Sequence, residues 1–210
     1  MTRTELRAEI RDNIQEASGI DGAIFTDAVL NRHIEREILS LPRKNIYLEE
    51  SWVTSLDSST DYSDGITLPT GIRKVESVER NDGTSTNPDW QPISGVDNYN
   101  NAIFLPFQVT SSYDIRVKIK KAFEVPTDDV TDVEVPDDKC EVVTWGVTLR
   151  CYRIFIGYLR GSQSWDAVTK PGDIAVGVMQ GWLRDAKQIY DDLIRDYATT
   201  PRPRDIDLVG

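Results

Sequence analysis

The first 45 residues carry apolar side chains at helical spacing: Leu6, Ile10, Ile14 and Ala17 recur every three or four positions, as do Leu30, Ile34, Ile38 and Leu41. Two amphipathic helices are predicted. Thr2 with Glu5 is a capping-box pattern at the first start, and Thr26, with Phe25 ahead of it, marks the second. Gly19 and Gly22 break the first helix, and Pro42 ends the second near Leu41. From residue 46 the period becomes two. Tyr113, Ile115, Val117 and Ile119 alternate with Asp114, Arg116, Lys118 and Lys120, the pattern of a strand with one buried and one wet face. Further strands are expected over 46–55, 65–68, 72–79 and 102–107, and the turn-rich stretches 57–64 and 81–89 between them favour antiparallel pairing.

Helical periodicity returns at Asp138, where Glu141 completes another capping pattern. The stretch to Leu159 is apolar on more than one side, through Val142, Val143, Trp145, Leu149, Tyr152 and Ile156, and requires cover from other helices or from another subunit. A last helix is expected over 174–198, with Val178, Trp182, Ala186, Ile189, Leu193 and Tyr197 on one stripe. Gly177 and Gly181 lie one turn apart in it and are read as permitting close packing. Pro201 and Pro203 forbid its continuation, so 199–210 is predicted to be an extended tail. The expected fold is therefore α+β: a four-helix bundle built from 1–45 and 137–198, an inserted antiparallel β domain over 46–136, and the tail.

Charge narrows the function. With 24 basic against 35 acidic side chains, a net charge of −11, the chain repels polyanions unless its positive charge is segregated, and no basic block is present. No segment has the layout of a signal peptide or the ~18 consecutive apolar residues of a membrane span, which predicts a soluble, non-exported chain. Cys140 and Cys151 sit ~16 Å apart along one predicted helix, too far for a bridge. With His33 the single histidine, a zinc site would need carboxylates for most ligands.

Candidate chemistry is sparse. Phosphate-binding loops, nucleophile elbows and metalloprotease patterns are absent, and any serine or cysteine triad would depend on His33, which reads as a partly exposed helix residue. The two cysteines read as small buried residues. Asp128, Asp129, Asp132, Glu134, Asp137, Asp138 and Glu141 form the densest acidic stretch but lack the glycine turn and ligand alternation of a calcium loop. They read as a solvated loop whose last carboxylates favour the following helix start. Trp145 and Trp182 fall on helical stripes and read as core, which leaves Trp90 and Trp165 in loops, where they suit protein or sugar contacts.

The order of elements resembles the head-to-tail adaptor, or connector, proteins of tailed bacteriophages. Locally the resemblance lies in Leu30-Asn31-Arg32-His33-Ile34-Glu35, in Ile66-Thr67-Leu68-Pro69 followed by Ile72-Arg73-Lys74-Val75-Glu76-Ser77-Val78, in Ala102-Ile103-Phe104-Leu105-Pro106 before the strand at Tyr113, and in Val135-Pro136-Asp137-Asp138 before the third helix. It spans nearly the whole chain through loose patterns, and the β part looks larger than in the minimal member.

The resemblance implies a structural virion protein of the neck, made in the host cytoplasm, without enzymatic activity, cofactor, metal or membrane. It implies a homo-oligomeric ring, usually twelve-fold, below the portal protein, extending the DNA channel and receiving a tail or neck protein such as a stopper, terminator or tail tube. Genomic DNA would pass without sequence-specific binding, and an acidic lumen would repel it. The tail would reach the portal or a neighbour through Pro201, Arg202, Pro203 and Arg204, with Ile206, Leu208 and Val209 as apolar anchors. Two other readings compete: a carbohydrate- or protein-recognition module using the β domain with Trp90 as its platform, and an enzyme working through His33 or a carboxylate pair in the β loops.

Overall fold

The computed structural model describes residues 1–18, 25–161 and 176–198, with side chains for 1–14, 25–157 and 178–198. Gly19, Gly22, Trp165 and the tail from Thr199 lie outside the described residues, as do the side chains of Ala17 and Leu159. The protein is mixed α+β, with four α-helices and two antiparallel sheets among the described residues. The chain divides into two compact units, one holding Met1–Ile46 and the described residues from Phe123 onward, the other Tyr47–Ala122. Residues 123–136, expected at the end of the β domain, belong to the first unit.

In the first unit, α1 (Arg3–Ser18) and α2 (Asp27–Ile38) precede a short 3-10 turn (Leu41–Lys44), and α3 (Asp137–Gly161) and α4 (Val176–Tyr197) follow the β segment. Thr2 and Glu5 make the reciprocal cap: the Thr2 amide donates to Glu5 Oε2 at 2.7 Å and the Glu5 amide to Thr2 Oγ1 at 3.2 Å. Thr26 occupies the N-cap of α2 without a side-chain cap bond. Asp138 lies inside the first turn of α3, which starts two residues earlier than its capping pattern indicates. Leu30, Ile34 and Ile38 of α2 and Leu41 of the 3-10 turn are fully buried, worth ~1.5–3 kcal/mol per side chain in area removed from water.

α3 packs against α1, α2 and α4. Val142, Val143, Val147, Leu149, Cys151 and Tyr152 are all buried within the one chain, whereas Trp145 is half-buried and Ile154 is 42% exposed. α4 departs from its expected stripe. Met179 and Ala186 are buried, whereas Val178 and Ile189 are 48% and 39% exposed. Gly181 permits no close approach either, because an added Cβ would meet nothing within 4 Å.

The second unit holds β1 (Leu48–Leu56), β2 (Ile66–Thr67), β3 (Ile72–Asn81), β4 (Trp90–Pro92), β5 (Asp97–Tyr99), β6 (Ala102–Phe104) and β7 (Tyr113–Lys121). One sheet runs β1-β7-β3-β4 and the other β2-β6-β5. β1 and β7 pair over their full length without a bulge, while β3 shifts register against β7 twice. Ile115, Val117 and Ile119 join Leu56, Ile66, Leu68, Val78 and Ile103 in the core, with Trp52 packed against it. β4 and β5 are short strands that the alternation does not announce. Asn100 and Asn101, at φ 50° and 60°, turn β5 into β6 with Tyr99 opposite Ala102, a two-residue reversal that asparagine tolerates.

Candidate functional site

Helix spacing on α3 and α4 brings Trp145 and Trp182, both half-buried, to one groove of about 260 Å³, lined also by Asn13, Tyr152, Ala186 and Ile189. Tyr152 is fixed there by its hydroxyl, which donates to the Asn13 carbonyl at 2.9 Å. Both tryptophans were expected in the core. Instead both stay half-buried along this groove, beside the buried Ala186.

Beneath the helices lies a polar cluster that the sequence did not signal. The Glu37 side chain is 1% exposed, and Arg150 donates to Glu37 Oε2 from Nη2 at 2.8 Å and Nε at 3.2 Å. Lys44 Nζ and the Tyr190 hydroxyl donate to the other oxygen, and Lys44 lies 4.9 Å from the Tyr190 ring centre. Gly146 makes room for this carboxylate, because a Cβ there would come within 2.5 Å of Glu37 Cδ. Burial, then the Glu37 charge, holds the Tyr190 phenol well above its ordinary value. The cluster joins α2, the 3-10 turn, α3 and α4. With every oxygen of Glu37 occupied, it suits a packing constraint rather than acid–base work.

The acidic stretch is tied down more firmly than a solvated loop. Arg3 and Arg7 are buried, and Arg7 Nη1 contacts Asp129 Oδ2 at 2.9 Å and donates to Asn31 Oδ1 at 2.9 Å. Asn31 donates to Asp129 at 3.3 Å, the Thr4 hydroxyl to the Asp129 carbonyl at 3.0 Å, and the Val133 amide to the Met1 carbonyl at 3.0 Å. Asp128 caps its own turn, accepting from the Val130 and Thr131 amides at 3.0 and 2.7 Å. Among the described residues no group of His, Cys, Asp or Glu is arranged to hold a metal ion.

His33 is half-buried on α2, and its Nδ1 is buried without a hydrogen-bond partner. Burial, then Arg150, Arg36 and Arg32, hold it below its ordinary value of 6.5. Cys140 and Cys151 are free and buried, and burial pushes both thiols up to about 12. A thiol so shifted is a poor nucleophile at neutral pH.

In the β unit, Trp90 is half-buried. The Arg116 guanidinium sits 4.5 Å from its ring centre, held by Glu79 Oε2 at 2.7 Å, while Lys118 reaches Glu79 Oε1 at 2.7 Å. Burial raises the Glu79 carboxyl, but Lys118 and Arg116 outweigh it and hold the group below its usual range. A wider cleft of about 590 Å³ lies between residues 58–63 and 104–109, with Phe107 41% exposed on it.

The expected tail contacts, Pro201, Arg202, Pro203, Arg204, Ile206, Leu208 and Val209, lie outside the described residues. No described helix is long and apolar enough to cross a membrane. Compared with known proteins, the chain matches no family model and no curated sequence.

Proposed function

We propose that this chain is a structural subunit of the neck of a tailed bacteriophage, assembling into a ring below the portal that joins the DNA-filled head to the tail. In this reading the helices form a four-helix bundle, the β unit is its insertion, and the chain carries no enzymatic activity. The observation that carries the reading is the order of elements together with their packing: two helices before the β segment and two after it meet in one unit around α3. That is the layout the adaptor resemblance implies. On α3, Val142, Val143, Val147, Leu149 and Cys151 are covered by the chain itself, while Ile154 is not.

Exposed Leu39 and Ile154, at 61% and 42%, supply apolar surface for neighbouring copies. The net charge of −11 suits a conduit for passing phosphates. Residues 201–209 then serve as the contact with the portal ring, with Ile206, Leu208 and Val209 as anchors. Removing the chain from the phage that encodes it should leave filled heads and finished tails unjoined. Intact virions lacking the chain would overturn the proposal.

A further inference from the structure

The groove of Trp145 and Trp182 continues into a second cleft of about 370 Å³ between α1 and the start of α3, the two meeting at Asn13 and Trp145. Five exposed carboxylates line this joined surface, Glu9, Asp12, Asp137, Glu141 and Asp185, against one cation among the lining groups, the Met1 ammonium. Asp132 and Asp137 take that ammonium at 3.2 and 2.9 Å, so Asp12 and Glu141 are in no ion pair among the described residues. The outer face of α2 and the turn after it is the complement. Arg32, Arg36, Leu39 and Arg43 recur every three or four residues and are all exposed, Leu39 at 61%, and none of the three arginines is in an ion pair among the described residues. We propose that this stripe of one copy docks in the tryptophan groove of the next, with Leu39 against Trp145, Arg36 toward Glu141 and Arg32 toward Asp137.

Register, charge and placement each favour a second copy as the occupant. Arg36 and Arg32 lie three and seven residues before Leu39, ~4.5 and ~10.5 Å along α2, while Glu141 and Asp137 lie four and eight before Trp145, ~6 and ~12 Å along α3. With the two helices parallel, each pair is out of step by only ~1.5 Å. Tryptophan and arginine are also the residues that most often anchor interfaces. At physiological salt the repulsion between two chains of net charge −11 is screened beyond ~8 Å, so the juxtaposed faces decide the contact. Trp145 and Arg150 stand ~140° apart around α3, one on the groove and the other bonded to Glu37 of α2, so a subunit cannot lay its stripe in its own groove. Because the two faces differ, copies join head to tail, closing as a ring or running on as a filament. Closure as a ring rests on the neck reading, whereas the contact itself does not.

Disulfide trapping between full-length variants tests it, and because bridges accumulate, even a weak contact of the free chain registers. Cys140 and Cys151 are buried with thiols pushed up to about 12, so they compete little for mild oxidant. Leu39→Cys mixed with Ile189→Cys, which lines the groove, should give the mixed dimer several-fold faster than either variant gives its own, and a chain carrying both should concatenate beyond dimers. Arg36→Glu on the Leu39→Cys chain should slow the mixed dimer several-fold, and Glu141→Arg on its Ile189→Cys partner should restore it. A mixed dimer no faster than the self-dimers, or a reversal without that rescue, would overturn the inference; so would a faster Ile189→Cys self-dimer, which would assign the groove to a symmetric contact. Head-to-tail trapping in a chain that ignores the portal would contradict the neck reading and leave the contact standing. A portal-bound ring unaffected by Leu39→Glu would overturn the contact and leave that reading standing.

Discussion

Glu37 accepts from Lys44, Arg150 and Tyr190 while almost fully shielded from water, so its removal strands two cations at the centre of the helical unit. Glu37→Gln should destabilise that unit by about 3 kcal/mol in denaturant unfolding, at the low end for broken buried pairs because Lys44 and Arg150 are 20% and 35% exposed. Gly146→Ala should cost about 1–3 kcal/mol, since the new Cβ collides with a carboxylate that its partners prevent from moving. His33 gives the pH dependence. The unfolded chain takes up this proton near 6.5 and the folded chain only at lower pH, so stability is complete above 6.5 and declines as pH falls from there. His33→Gln should flatten the decline between pH 6.5 and 5, before the lowered carboxylates such as Glu79 begin to matter; an unchanged slope would contradict the assignment. The Thr2–Glu5 cap was legible in sequence because its partners are three residues apart. The Glu37 cluster was not, because Arg150 and Tyr190 lie 113 and 153 residues away and no local period marks a buried acid.

Among the elements, the segment 123–136 depends on side chains of α1 and α2 for its place. Asp129→Ala should raise amide exchange over this segment and cost about 1–2 kcal/mol, less than a fully buried charge contact because Asp129 is 44% exposed. In the β unit, Ile115→Ala should cost about 2–5 kcal/mol and remove exchange protection from β1, β3 and β7 before that of the helices. Simultaneous loss of protection in both units would contradict their separate cores. The long strands were legible wherever alternation ran unbroken, as in β7. β4 and β5 were missed because three residues cannot display a period, and β3 blurs its own pattern through two register shifts. For α4 the expected stripe holds at Ala186, which is buried, and fails at Val178 and Ile189, which are exposed, while Met179 off the stripe is buried.

For the molecule as a whole, the order of elements was readable from the change of hydrophobic period, from helical to alternating and back. Which surfaces meet a partner was not readable, because an apolar face looks the same in sequence whether its own chain or another covers it. Ring assembly on a portal is therefore the central claim, and the mass distribution of the full chain, alone and mixed with the portal ring from the same phage, tests it most directly. The account predicts a ring of copies, formed alone or only on the portal, that adds a fixed number of subunits to each portal particle. A chain that remains a monomer at every concentration and leaves the portal mass unchanged would contradict it.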